Sequence, residues 1–154
     1  MKADRPVTHA TWKEERSYPA PASRVFAAFG DPELRAQWNS PSETITIRTE
    51  AADFRVGGRN IEICVLDGQD IAHVETAYLD IVPNSRLLLS ETIRDPERLM
   101  GASLVTVEFH ASEAGTRLAL TVQTTAVDGS GLEAGVVEGW SKALDKLGRV
   151  LSGH

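Results

Sequence analysis

A period of two in the apolar residues runs through residues 44–126 and is the feature that most constrains the fold. Turn signals interrupt it at Asp67 and Gly68, at residues 83–85 and at Gly115. Such alternation is typical of β-strands, and consecutive strands joined by short turns pair in an antiparallel manner. The pattern therefore predicts six successive strands in one antiparallel sheet.

A long amphipathic helix is predicted at the C-terminal end. Apolar residues recur there every three or four positions: Leu132, Val136, Trp140, Leu144, Leu147 and Leu151. Ser130 and Glu133 have the spacing of a capping box, which predicts where the helix begins. An antiparallel sheet with one apolar face needs a cover, and no other predicted element is long enough to provide it.

The N-terminal part adds a seventh strand and two short helices. Residues 8–18 alternate weakly and end at two prolines, which predicts an edge strand. Val25 and Phe29 share a helical face, and Asp31 followed by proline is typical of a new helix start. The predicted fold is α+β: a curved antiparallel sheet of about seven strands around a long C-terminal helix, with two short helices after the first strand. We expect one domain over residues 1–154.

Composition narrows the classes of partner. The net charge is −6 over 154 residues, which argues against nucleic acid, because phosphate binding needs clustered Lys and Arg. The sequence shows neither a signal peptide nor a run of about 18 apolar residues, so we expect no membrane association and a cytoplasmic location. Cys64 is the single cysteine, so no internal disulfide forms.

Neither a metal site nor a cofactor is predicted. The four histidines are scattered without ligand spacing: His9, His73, His110 and His154. The glycines of residues 129–135 lack dinucleotide-loop spacing, and no parallel strand follows them. We therefore expect no bound metal ion and no cofactor.

Several strings, taken in order, resemble the START-like helix-grip superfamily (also called SRPBCC or Bet v 1-like). More narrowly, they are similar to its branch related to the activator of Hsp90 ATPase. The matching strings cover residues 17–29, 31–38, 53–59, 78–84 and 115–121, and the Gly139-Trp140 pair followed by Leu144 and Leu147. Two departures bear on the polarity of any pocket: Asn39 follows Trp38 where a second aromatic is common, and residues 89–91 lack a common Trp.

The resemblance implies a helix-grip fold and leaves function open. Similar sequences include small-molecule binders, polyketide cyclases and chaperone cofactors. Wherever the helix and the concave sheet face fail to touch, a cavity remains that suits a small apolar molecule.

Three polar residues are candidates for a site in that cavity. His73 and Glu75 share parity with the apolar Leu79 and Ile81, and Glu91 shares a face with its apolar neighbours. If the apolar members point inward, all three polar side chains do as well, and a carboxylate could orient an imidazole for proton transfer. A single bulge would reverse this assignment, and strand ends could instead protrude into solvent.

The predicted cavity walls are apolar, and core packing is the alternative for Trp38, Val136 and Trp140, with the two interpretations evenly balanced for Trp140. The wall residues are Trp38, Ile63, Val65, Leu120, Val136 and Trp140. Cys64 has parity opposite to Ile63 and Val65, so we expect it on the outer face of the sheet.

Three functional hypotheses follow. The first is binding of a small, largely apolar molecule between the final helix and the sheet. A polyketide cyclase-like activity would use His73, Glu75 or Glu91, so whether the protein is an enzyme stays open. The alternative is a chaperone-cofactor module that binds Hsp90 through its outer surface. A homodimer through the edge strand of residues 8–18 is also possible.

Overall fold

The computed structural model describes residues 6–153. The elements, in chain order, are β1 (Thr8–Tyr18), α1 (Ala22–Gly30), α2 (Pro32–Arg35), β2 (Thr46–Ala52), β3 (Arg59–Leu66), β4 (Gln69–Val82), β5 (Arg86–Arg94), β6 (Leu99–Ser112), β7 (Gly115–Ala126) and α3 (Leu132–Leu151). Residues 1–5 and His154, used above for the signal-peptide and metal predictions, lie outside the described residues. No helix within 6–153 has the length and apolar character needed to cross a membrane.

The seven strands form one antiparallel sheet in the order β1-β7-β6-β5-β4-β3-β2. Strands β2 to β7 pair with their chain neighbours, as short hairpins require. The strand β1 pairs with β7, at the opposite end of the sheet from β2, so β1 and β2 are the two edge strands. The predicted α+β fold, with seven strands and a long C-terminal helix, is confirmed.

Local turn and capping chemistry explains several boundaries. Asp67 and Gly68 have φ values of 52° and 76°, which suit the tight turn between β3 and β4. The Asp31 carboxylate accepts a hydrogen bond from the Glu33 backbone N–H at 2.9 Å and caps α2, as predicted.

The predicted capping box at the start of α3 is wrong. Gly131, with a φ of 79°, occupies the N-cap position and provides no side-chain cap. The Ser130 hydroxyl instead donates to the Asp128 carboxylate at 2.6 Å. The turn before the helix therefore satisfies Ser130 locally, and a left-handed glycine redirects the chain.

The core lies between one face of the sheet and the helices. Alternate residues of three central strands are almost fully buried there: Leu87, Leu89, Val105, Val107, Phe109, Leu118, Leu120 and Val122. The helix α3 contacts β1, β7 and α1. The Tyr18 hydroxyl donates to the Leu144 carbonyl at 2.8 Å, and Arg16 pairs with Asp145 at 2.6 Å. These contacts hold α3 against the β1–β7 side of the sheet.

A β-bulge divides β4 into two parts. Tyr78 lies opposite Leu89 and Asp80 lies opposite Leu88, so Leu79 is an extra residue. Leu79 is 49% exposed, whereas Tyr78 is 2% exposed. The bulge shifts the alternation by one residue. Even-numbered side chains such as Tyr78 face the core before the bulge, and odd-numbered ones such as Ile81 do so after it.

Truncation of Leu147 tests the packing of α3. Leu147 is fully buried in the core, so Leu147→Ala is expected to lower the free energy of unfolding by about 2–5 kcal/mol, since a cavity is left behind. Urea denaturation measures the change. Lys142→Ala, on the exposed face of the same helix, is the control and should change stability by no more than about 0.5 kcal/mol. Equal effects of the two variants would contradict this packing.

Candidate functional site

A cavity of about 150 Å³ lies between α3 and the β2–β5 half of the sheet. The residues that line it come from α2 and the loop after it, from four strands and from α3. They are Arg35, Trp38, Asn39, Pro41, Ile47, Glu62, Cys64, Val74, Glu91, Ile93, Gly135, Val136, Gly139, Trp140 and Ala143. Most of the wall is apolar, and its charged residues are Arg35, Glu62 and Glu91.

Small residues on α3 create the space. Gly135, Gly139 and Ala143 line the cavity and fill little of it. A Cβ atom added at Gly135 would have no neighbour within 4 Å. Since α3 is held against β1 and β7 on its other side, the gap above β3–β5 stays open.

Two tryptophans form much of the apolar wall. Trp38 is 1% exposed and packs edge-on against Phe29 with ring centroids 4.7 Å apart. Its indole N–H donates to the Ala28 carbonyl at 2.9 Å, which fixes the ring. Trp140 lies on α3 beside Val136 and is partly buried. The wall is therefore built from anchored rings.

A polar group closes one end of the cavity. Arg35 Nε lies 3.4 Å from Glu62 Oε2, and Asn39 Nδ2 donates to the same oxygen at 2.8 Å. Burial is the largest single influence on the pKa of Arg35 and would lower it, but the charges of Glu62, Tyr78 and Glu91 and the Glu62 hydrogen bond together outweigh burial. The pKa is raised, so the guanidinium stays charged. Asn39 Oδ1 is buried and has no hydrogen-bond partner among the described residues.

Glu91 is the second carboxyl in the wall and is 9% exposed. Its Oε1 accepts a hydrogen bond from Trp140 Nε1 at 3.3 Å. Burial raises the pKa of Glu91, because desolvation penalises the charged form, while Arg35 and the Trp140 bond act against this and Glu62 adds to it. Glu91 is therefore a buried acid that holds its proton to higher pH than an exposed glutamate.

Glu91 belongs to a row of buried polar residues that crosses five strands. In register, Asn60 lies opposite Thr76, Thr76 opposite Glu91, Glu91 opposite Ser103 and Ser103 opposite Thr124. Asn60 donates to the Tyr78 hydroxyl at 2.8 Å, and the Ser103 and Thr124 hydroxyls are 2.8 Å apart. Thr76 Oγ1 has no partner among residues 6–153. The inner face is thus polar along one line that includes the cavity wall.

The remaining titratable group of the wall is Cys64. Burial raises the pKa of its thiol to about 11, and the nearby Glu62 contributes. Because the thiolate is the reactive form, Cys64 is a weak nucleophile at neutral pH.

The comparisons with known proteins decide the family. The family model described as "Activator of Hsp90 ATPase homolog 1-like protein" matches residues 19–152. The chain belongs to this AHSA1-like family. No curated protein matches the sequence significantly.

Solved structures share the fold over nearly the whole chain. A protein from Rhizobium leguminosarum is 31% identical, with a TM-score of 0.86 and coverage of 99% of this chain and 100% of that one. One from Rhizobium loti is 34% identical, with a TM-score of 0.83 and coverage of 93% and 97%. An AHSA1-like protein from Aeromonas hydrophila is 20% identical, with a TM-score of 0.68 and coverage of 94% and 93%, which shows the fold alone.

The structure brings four of the nine predicted site residues of this AHSA1-like protein together. Trp38, Glu91, Val136 and Trp140 all line the cavity. Leu120 is buried in the core beneath α3 and lies outside the cavity lining.

Two of the others, His73 and Glu75, lie on the opposite face of β4, so the inward orientation predicted for them is wrong. The bulge at Leu79 is the physical reason, because the parity of Leu79 and Ile81 does not extend past it. Val74 takes the inward position, and Glu75 pairs with Arg59 at 2.8 Å.

The face assigned to β3 is also reversed. Glu62 and Cys64 line the cavity, so Ile63 and Val65 point away from it, and Cys64 is inside where we expected it outside. Ile63 is nevertheless only 6% exposed, between Arg48 and His73 in register. Near the sheet edge the outer face buries apolar side chains, and the inner face carries the polar end of the cavity.

The sequence patterns did not indicate the polar group of Arg35, Asn39 and Glu62. Asn39 had one signal, because it stands where the resemblance implies an aromatic residue. Arg35 and Glu62 had none, since their pairing depends on how α2 sits over β3. A local pattern does not contain that contact.

The pH dependence of stability tests the environment of Glu91. The folded protein holds this proton more tightly than the unfolded chain, so Glu91 makes the protein less stable as pH rises from about 4.5 through the raised folded-state pKa. Glu91→Gln removes this loss. We expect the variant to be more stable than the wild type at pH 7, with the difference vanishing toward pH 4.5.

Urea denaturation between pH 4.5 and 8 measures this difference. Glu113→Gln, at an exposed turn, is the matched control and should not reproduce the trend. A difference for Glu91→Gln that stays constant over this range would show that the carboxyl is not desolvated.

Proposed function

We propose that this protein reversibly binds a small, largely apolar molecule in the cavity between α3 and the sheet. The observation that carries the proposal is the volume of about 150 Å³, walled mainly by Trp38, Trp140 and aliphatic side chains. An apolar cavity of similar volume, engineered in another protein, holds a benzene molecule. The ligand class supported is therefore a molecule with an apolar part of about one ring.

The affinity expected from apolar contacts alone follows from the surface area that the ligand buries in the cavity. A ring-sized group that buries about 150–250 Å² gains about 4–6 kcal/mol at roughly 25 cal/mol per Å². Because association also costs translational and rotational freedom, these contacts support at best a dissociation constant of about 0.05–1 mM before any contribution from polar contacts. A physiological ligand that binds more tightly must use the polar residues at the end of the cavity.

The other two hypotheses stay predictions. A polyketide cyclase-like reaction would depend on Glu91 alone among the three candidates, because His73 and Glu75 lie outside the cavity. The family description names an activator of Hsp90 ATPase. The observation that supports our proposal is a recessed, mainly apolar cavity between α3 and the sheet, which is a feature of ligand binding rather than of a docking surface.

Filling the cavity is the direct test. Benzyl alcohol and indole are expected to raise the melting temperature of the wild type. A ligand at 100 times its dissociation constant adds about 2.7 kcal/mol, or about 5–10 °C for a chain of this size. Val136→Phe places a ring in the cavity and should reduce the affinity of both probes at least tenfold.

Val137→Phe is the matched control, since it makes the same substitution at the next residue of α3, outside the lining. It should leave binding unchanged, and circular dichroism checks that both variants fold. Probes that fail to bind the wild type, or that bind Val136→Phe as well, would contradict the proposal.

Alkylation of Cys64 gives an independent test. The chain has one cysteine, so incorporation of iodoacetamide reports on this site alone. With a thiol pKa of about 11, roughly 0.1% is thiolate at pH 8, and alkylation of the folded protein is expected to be slow. Saturating benzyl alcohol should slow it further because the ligand covers the thiol. An unchanged rate measured by mass spectrometry would place the ligand elsewhere.

A further inference from the structure

The charges in the cavity wall do not balance. One guanidinium, that of Arg35, faces the carboxyls of Glu62 and Glu91. The ammonium group of Lys146 on α3 donates to the Ser40 carbonyl at 3.1 Å, and Lys146 lies outside the lining. With both carboxyls ionised, the wall carries a net charge of −1.

The positive charge is already engaged. Arg35 Nε lies within 4 Å of Glu62, whose same oxygen also accepts from Asn39. No cationic atom of the described residues comes within 4 Å of the Glu91 carboxyl, whose hydrogen bond comes from the neutral indole of Trp140. Glu91 is thus a buried acid with no cation in direct contact, although Arg35 lies near enough to influence its pKa.

The same wall also offers an unused hydrogen-bond acceptor. Because Asn39 Nδ2 donates to Glu62, the orientation of its amide is fixed and Oδ1 is an acceptor. That oxygen is buried and unsatisfied within residues 6–153. A buried acceptor without a donor destabilises the empty protein, so a ligand that supplies a donor there binds more tightly.

We propose that the cavity selects a monocationic ligand, a primary amine on a ring-sized apolar body, whose ammonium group pairs with Glu91. This deepens the function proposed above and rests on it. The apolar body contacts Trp140 and Val136, and an ammonium group has three donors to share between Glu91 and the wall. Of the two indoles in the wall, Arg35 already lies over that of Trp38, with Cζ 5.8 Å from the ring centroid, so Trp140 is the ring left for a ligand cation.

An anionic ligand fits less well. Arg35 has further N–H groups, but a carboxylate bound to them would compete with Glu62 and approach Glu91. Like charges inside a low-dielectric cavity repel strongly. A neutral ligand gains the apolar contacts alone and supplies no charge to pair with Glu91.

The pairing predicts that binding of an amine releases a proton. The charged and titratable groups around Glu91 are Arg35 from α2, Glu62 from β3 and Tyr78 from β4, and α3 contributes the neutral Trp140. Burial raises the pKa of Glu91. An ammonium group favours the ionised carboxylate, so at pH values where the empty site holds the proton, binding expels it. Affinity for an amine therefore rises with pH until Glu91 is ionised in the free protein.

Three probes of equal shape test the proposal by isothermal titration calorimetry: benzylamine, benzyl alcohol and benzoate. The wild type at pH 8 is expected to bind benzylamine at least tenfold more tightly than benzyl alcohol, and benzoate most weakly. Glu91→Gln should lower the affinity for benzylamine at least tenfold and change that for benzyl alcohol less than threefold. Val136→Phe should weaken all three.

A second measurement needs no variant. Titrations of the wild type at lower pH, in buffers of different ionisation enthalpy, should show proton release with benzylamine and none with benzyl alcohol. Binding of benzyl alcohol without preference for benzylamine, or binding of benzylamine without proton release, would overturn the inference and leave the proposed function standing. Binding of none of the probes would overturn both.

Discussion

The position of α3 depends on its attachment to β1. Tyr18 reaches from the end of the strand to the Leu144 carbonyl, and Arg16 pairs with Asp145 one residue further along the helix. The ring of Tyr18 also approaches the backbone at Gly148 closely, since a Cβ added there would lie 3.3 Å from it. The helix is therefore held at one side of the sheet, and its distance from β3–β5 follows from that attachment.

The architecture could be predicted because its determinants are local. The period of two, the Asp67-Gly68 turn and the Asp31 cap each act over a few residues, and the structure contains all three. The covering role of α3 follows from its apolar stripe and from the absence of another long element. The family resemblance rests on ordered strings that agree with the same elements.

The cavity wall was only partly predictable, because side-chain direction in a strand depends on register. One extra residue in β4 placed His73 and Glu75 on the other face, and the apolar alternation of β3 selected the wrong side for Ile63 and Val65. Asn39 and Glu91 both stand at departures from the family strings, and both line the cavity. The departure at Asn39 thus marked a polar wall residue that the apolar pattern missed, whereas both signals marked Glu91.

The register that follows from the bulge at Leu79 makes the cavity chemistry sensitive to the number of paired residues in β4 before it. Removing the paired residue Ala77, with the bulge and Ile81 held in place, would move Glu75 into the inward position of Thr76 and His73 into that of Val74. The lining would change from aliphatic to ionisable although no amino acid facing the cavity had been replaced. Insertions and deletions within this strand are thus a route by which proteins of this fold can acquire new specificities in one step.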